Sequence, residues 1–351
     1  MNCLLLASYA APYAGNFIPS VLLLSKSMRA RGHRLIFVFP KEAQEKPWAE
    51  LMRDEKVYYI DYRPYSPSTV SVLKKIIKDE SIDINYSHFG GWDIPVKLAA
   101  PFKPCVWHCR MNLRLTTTAK KAKYFVKYKV IGFGKTYSIA VSKPVGRLIC
   151  SFISEKRCDT VENGINFSRL TTLFREPKRE KKLLMMGWAP YVKGVDTVCA
   201  AFEKNSENKK LLLSCQSATN DFLTERYGGT LPSWLETLEP TDDISRVFEK
   251  SDIFISASTT EAFSCSLAEA LYSGLPCLVS DIDGTNWSHR FKNVFVFKTS
   301  DPDSLLEETE KCMKQAVTKE DVGYNVELLK NEYSVEQWAE KIVGILEKRM
   351  K

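Results

Sequence analysis

Two glutamates with seven residues between them stand in the stretch Glu261-Ala-Phe-Ser-Cys-Ser-Leu-Ala-Glu269. Around them, Ile253 to Ser256 reads as a strand, Ser258 to Ala262 as a loop at its carboxyl end, and Ser266 to Ser273 as a helix stopped by Gly274 and Pro276. A loop at that end of a strand, feeding a helix N-terminus, is where open α/β sheets bind ligands. The amides of Phe263, Ser264, Cys265 and Ser266, with a helix dipole behind them, favour an anionic group such as a diphosphate. Glu261 would repel phosphate, and its carboxylate is better suited to accepting hydrogen bonds from sugar hydroxyls. Glu269 has two readings, because Ser266-Leu-Ala-Glu269 is also a capping box in which the carboxylate bonds back to the helix start.

These residues need a scaffold, and the sequence supplies two. Cys3 to Ala7, Leu35 to Phe39 and Val57 to Ile60 read as strands, with Val21 to Arg31 helical between the first two and stopped at Gly32. The pattern restarts at Lys182 to Met186, continues through a helix from Val195 to Glu203, and adds strands at Leu211 to Ser214, Ile253 to Ser256 and Cys277 to Ser280. Alternation of strand and helix implies parallel sheets with helical crossovers. A chain of 351 residues exceeds one ordinary core and suits two. We expect an N-terminal domain over 1–167, a charged linker over 168–182 that carries Pro177, and a C-terminal domain over 183–333. The last element, 334–350, opens with the capping pattern Ser334-Val-Glu-Gln337 and places Val335, Trp338, Ile342, Ile345 and Leu346 on one face. It is expected to pack back on the first domain.

Composition sets limits. An apolar fraction of 44% and a charged fraction of 26% are those of an ordinary globular protein. Ten cysteines scattered singly through apolar runs read as free thiols of a reducing compartment. The group Cys105-Val-Trp-His108-Cys109 lacks the second ligand pair of a zinc site, so no metal is expected. No run approaches the roughly 20 apolar residues of a spanning helix, and the N-terminus has no basic segment before its apolar run. A cytoplasmic protein is expected. Its charge is uneven: residues 94–154 hold no Asp or Glu but 12 Lys or Arg, against +8 for the whole chain.

With these residues in view, the stretch from Glu261 through Glu269 and on to Ser280 resembles the E-x7-E signature of the retaining family 4 glycosyltransferases. That resemblance implies the GT-B fold, two facing Rossmann-like domains with a cleft between them, and a nucleotide-sugar donor. It assigns Glu261 to the donor sugar, the amides of Phe263 to Ser266 to sugar and phosphate, and Glu269 to the ribose. Met186-Gly-Trp-Ala-Pro-Tyr-Val-Lys193-Gly194 resembles the family loop in which an Arg and a Lys neutralise the diphosphate; Lys193 matches the lysine, and Trp188 stands at the arginine position. Asn163-Gly164-Ile165-Asn166 is similar to the turn entering the donor domain. The family works without a divalent metal, so no cofactor beyond the donor is implied. A nucleotide-sugar epimerase of similar fold and a non-catalytic scaffold are the alternatives.

In the N-terminal half, Gly15 and Asn16 follow the first strand and precede a helix, where a glycine loop can approach a phosphate. The family usually has two glycines there. His108 closes the run Cys105-Val-Trp at a strand end and resembles a family histidine near the reacting carbon; the other reading is a histidine satisfied by backbone groups. His88 is a second candidate of that kind. Placed on one helix, residues 119–131 put Lys120, Lys121, Lys123, Tyr124, Lys127 and Tyr128 on one face and Ala122, Phe125, Val126 and Val130 on the other. With Arg110 and Arg114 these lysines suit an anionic membrane surface, where each basic residue contributes about 1 kcal/mol. The expectation is peripheral docking at the inner face of the cell membrane, presenting a glycan or lipid-linked acceptor. Nucleic acid is not expected as a partner, since no binding module accompanies the charge.

Overall fold

The computed structural model describes residues 1–63, 66–113, 117–176 and 178–350. It divides into two units, Met1–Gly164 with Val335–Lys351, and Ile165–Ser334.

The first unit is a seven-stranded, wholly parallel sheet of β1 (Asn2–Ala7), β2 (Arg34–Pro40), β3 (Lys56–Ile60), β4 (Ile84–His88), β5 (Cys105–Cys109), β6 (Thr136–Ala140) and β7 (Cys158–Thr160), in the order β3-β2-β1-β4-β5-β6-β7. Its crossover helices include α1 (Phe17–Ala30), α2 (Pro67–Asp79), α3 (Asp93–Ala99), α4 (Thr118–Phe125) and α5 (Lys143–Cys150). β1 is buried on both faces, as its unbroken Leu4-Leu5-Leu6 requires of a central parallel strand. α1 begins four residues before the expected Val21. Pro19 falls in its first turn, where the missing N–H has no intrahelical acceptor to lose.

The second unit repeats the design with β8 (Lys181–Met186), β9 (Lys209–Ser214), β10 (Leu235–Leu238), β11 (Ile253–Ser256), β12 (Cys277–Ser280) and β13 (Val294–Phe297), in the Rossmann order β10-β9-β8-β11-β12-β13, all parallel. Its helices are α6 (Pro190–Lys193), α7 (Val195–Lys204), α8 (Ser217–Tyr227), α9 (Ile244–Glu249), α10 (Cys265–Tyr272), α11 (Pro302–Lys314) and α12 (Lys319–Tyr333).

The last helix, α13 (Val335–Met350), belongs to the first unit. Trp338, Ile342, Val343 and Leu346 are buried in one cluster with Val21, Leu24 and Met28 of α1. Each such side chain contributes about 1.5–3 kcal/mol.

The stretch 168–182 is not a free linker. Pro177 lies outside the described residues, but Arg175 is fastened to the second unit, donating to the carbonyls of Phe248 (2.8 Å), Ser251 (2.7 Å) and Ser273 (2.7 Å). These carbonyls lie at the C-terminal ends of α9 and α10, where acceptors are left without intrahelical donors. A cation satisfying helix ends has the same composition as a solvated linker, which is why the sequence misled here.

Candidate active site

In the second unit, β8 and β11 are neighbours, and the loops at their carboxyl ends meet. α6 ends at Gly194, in the left-handed region at φ +74°, and a Cβ there would stand 2.0 Å from the carbonyl oxygen of Ala257. Only glycine lets this turn close on the end of β11. The amide of Thr259 donates to the Val192 carbonyl at 2.9 Å and ties the loops together. Gly284 supports the far side, where a Cβ would lie 2.0 Å from the carbonyl oxygen of Glu261.

This framework puts the Lys193 ammonium in an ion pair with the Glu261 carboxylate, to which the Ser258 hydroxyl also donates at 3.2 Å. Both side chains are largely buried. A cavity of about 10 Å³, the size of one water, opens among Lys193, Ser256, Ser258, Glu261, Ser264 and Ser266. Trp188, half exposed, lies beside the pair with its ring 5.2 Å from the Lys193 Nζ. Trp188 thus supplies an aromatic face to the cation.

α10 carries the rest of the motif. Its cap is Ser264, whose hydroxyl accepts from the Leu267 amide, and not Ser266. The cap two residues earlier leaves Glu269 in the body of the helix. Its carboxylate pairs with the Arg169 guanidinium and does not return to the helix start, so the capping-box reading does not hold. Burial pushes the Glu269 carboxyl above its ordinary pKa, and Arg169 opposes that rise. Phe263 is a core residue, stacked on Trp287 at 4.8 Å, so its side chain faces away from solvent.

In the first unit, Gly15 takes φ +56°, with the Tyr9 hydroxyl 3.2 Å from where a Cβ would sit. That hydroxyl donates to the carbonyls of Tyr13 (3.0 Å) and Ala14 (3.2 Å), fixing the loop. The Asn16 amide group donates to the Gly164 carbonyl. His108 ends up fully buried on β5, with the Tyr86 hydroxyl 2.6 Å from Nδ1 and no partner for Nε2 among the described residues. His88, at the end of β4, lies beside it with 5.0 Å between ring centroids, and neither of its ring nitrogens has a partner among the described residues. Burial, then the nearby Arg110 charge, holds both imidazoles well below their usual pKa. Arg110 itself lies over the rings of Phe17 and Trp338, 5.1 Å from each.

The basic segment is placed differently from the expectation. α4 gives way to a π-helical turn at Val126–Ile131, and Tyr124, Lys127 and Tyr128 face inward. Tyr128 stacks on Phe152 at 5.9 Å, and Lys127 is ion-paired with the buried Asp93. Phe125, Val126 and Val130, 46–57% exposed, share the outer surface with Lys120, Lys121 and Lys123. The tyrosines bury more ring surface than a valine can, and Asp93 offers a buried countercharge, which together decide which face turns in. Arg114 lies outside the described residues.

Two Rossmann-like parallel units, with paired charges on the strand-end loops of the second, define a protein of the GT-B class. Residues 173–329 match the family described as glycosyl transferases group 1, and the chain is a glycosyltransferase. It is 23% identical over 270 residues, 67% of each chain, to the Escherichia coli UDP-Gal:alpha-D-GlcNAc-diphosphoundecaprenol alpha-1,3-galactosyltransferase. Among solved structures, a glycosyltransferase from Rickettsia africae superposes with TM-score 0.81 at 17% identity, over 100% of this chain and 98% of that one. Anabaena HepE in complex with UDP follows at TM-score 0.80 and 14% identity, over 99% of this chain and 100% of that one.

Proposed function

We propose that the chain transfers a hexose, with retention of configuration, from a UDP-hexose to a hydroxyl of a lipid-linked glycan at the cytoplasmic face of the membrane. The observation that carries this reading is the Lys193–Glu261 pair at the ends of β8 and β11. A carboxylate accepts sugar hydroxyls and an ammonium holds a phosphate, so one pair serves the two halves of a nucleotide sugar. The printed names of the Escherichia coli relative and of HepE with UDP support a uridine donor, and the former supports a diphospholipid acceptor.

In this reading Lys193 neutralises the diphosphate, the amides from Phe263 to Ser266 bind sugar and phosphate, and Glu269 accepts from the ribose. Gly15 and Asn16 help bind the donor, and His108 acts as a neutral hydrogen-bonding group. The bond between the anomeric carbon and the phosphate oxygen breaks, and the acceptor oxygen bonds the same face. The acceptor proton passes to the departing phosphate. The lysines of α4 and the apolar side chains Phe125, Val126 and Val130 dock the first unit on anionic lipid.

The test is transfer from UDP-glucose or UDP-galactose to a short-chain polyprenyl-diphosphate GlcNAc, with the product's anomeric coupling read by proton NMR. An α-linked product supports the reading. A β-linked product, or consumption of donor equally fast without acceptor, contradicts it.

A further inference from the structure

Glu269 is almost fully buried within the second unit, in the body of an eight-residue helix. A carboxylate there loses its hydration and needs a partner to stay charged. The partner is Arg169, 100 residues earlier, at the end of the short 3-10 turn Phe167–Arg169. That turn is itself held in place. The Asn166 side chain accepts from the Ser168 amide (3.2 Å) and hydroxyl (2.7 Å), Phe167 stacks on Tyr272 of α10 at 4.4 Å, and the Thr172 hydroxyl donates to the Tyr272 carbonyl at 3.0 Å. The arginine is therefore delivered to α10 by a braced segment and not by a loose side chain.

Other charges near α10 are engaged elsewhere. Lys330 of α12 lies over the Tyr272 ring, Glu332 of α12 is paired with Arg290, and Arg175 donates to backbone carbonyls at helix ends. Asp252, ahead of β11, pairs with Lys178 and accepts from the Lys182 amide. Glu261, in the loop after β11, is held by Lys193 and Ser258, and Cys277 of β12 is a buried thiol. Among the described residues, Arg169 is the charged group that acts on Glu269.

We propose that Arg169 is a positioning residue of the donor site: its ion pair keeps the Glu269 carboxylate charged and oriented to accept the two ribose hydroxyls of the nucleotide. The inference rests on the donor-site reading of Glu269 given above. A charged carboxylate can accept both hydroxyls of a diol, whereas a protonated one has a donor where an acceptor is needed. Without Arg169, desolvation acts unopposed and Glu269 takes up a proton at higher pH.

The experiment measures UDP affinity by titration calorimetry from pH 5.5 to 9 for the wild type and for Arg169→Met, Arg169→Lys and Glu269→Gln, with near-ultraviolet circular dichroism reporting the fold of each. Titration of the nucleotide's own phosphate is common to all four proteins and cancels in the comparison. In Arg169→Met the pH below which affinity falls is expected to rise by about 1–3 units, the usual effect of removing an opposite charge at contact distance. Arg169→Lys cancels most of that shift, and Glu269→Gln binds UDP more weakly with no such pH dependence. An unchanged midpoint in folded Arg169→Met, with Glu269→Gln still weakened, overturns the role of Arg169 and leaves the donor-site reading standing. Undiminished UDP affinity in Glu269→Gln overturns the donor-site reading of Glu269, and the inference with it.

Discussion

Lys193 and Glu261, 68 residues apart in sequence, form an ion pair across the ends of two adjacent strands, held there by a glycine on either side. The two charges neutralise each other, and the cavity beside them has room for about one water. In the proposed donor site, donor entry exchanges the partner of Lys193 from carboxylate to phosphate and frees Glu261 for the sugar. Lys193→Ala is therefore expected to weaken UDP binding about 10- to 100-fold, the value of a charged hydrogen bond of about 1.5–3 kcal/mol. Lys193→Arg recovers part of it. Equilibrium titration with UDP measures both, and equal affinity in Lys193→Ala would remove the lysine from the phosphate site.

Trp188 makes a complementary prediction. Its ring now faces the Lys193 ammonium, and a cation in its place would add a second charge beside the diphosphate. Trp188→Arg is expected to tighten UDP binding about three- to tenfold at low salt, with the gain shrinking as ionic strength rises. A gain that persists unchanged in about 1 M salt would point to packing instead of charge.

The buried imidazoles predict how stability responds to acid. Burial and Arg110 depress the pKa of both His88 and His108 in the folded state. The unfolded chain then binds more protons below its own histidine pKa of about 6.5. Stability is full above that pH and falls as pH drops below it, by about 1.4 kcal/mol per unit for each histidine. Urea denaturation between pH 5 and 7.5 measures the slope, and His88→Gln is expected to remove roughly half of the histidine contribution. The same depression moves the His108 titration below its usual range, so the turnover rate is not expected to follow a histidine titration near pH 6.5.

The outer surface of residues 118–131 should separate two components of lipid attachment. Replacing Phe125, Val126 and Val130 together by Ser removes apolar insertion, and replacing Lys120, Lys121 and Lys123 by Glu removes attraction to headgroups. In vesicle flotation with anionic lipid, both sets are expected to lose most binding, and only the lysines' share is sensitive to salt. Flotation unaffected by the apolar set would mean that this face does not meet the bilayer.

Much of the fold was legible because buried parallel strands are written as unbroken apolar runs: Ile253–Ser256 and Cys277–Ser280 fall where the sequence places them. Glu261 and Lys193 fall on the strand-end loops where the sequence places them, the part of an α/β sheet where ligands bind. What escaped was decided by partners far away in sequence. Ser264 caps α10 where Ser266 fits the local pattern equally well, and only the path of the chain after Glu261 selects between them. Tyr124, Lys127 and Tyr128 turn inward because Asp93 and Phe152 wait there, which helical periodicity alone cannot show. Arg169 carried no local signal, since its function depends on a carboxylate 100 residues away.

The central claim is that the second unit binds a nucleotide sugar through Glu261 and Lys193, and thermal unfolding with UDP-, GDP-, ADP- and TDP-hexoses measures it most directly. The account predicts that a UDP-hexose at about 100 times its dissociation constant raises the transition by roughly 5–10 °C, from about 2.7 kcal/mol of linkage, and that Glu261→Ala with Lys193→Ala abolishes the shift. No shift with any of the four, or a shift that survives the double substitution intact, would contradict it.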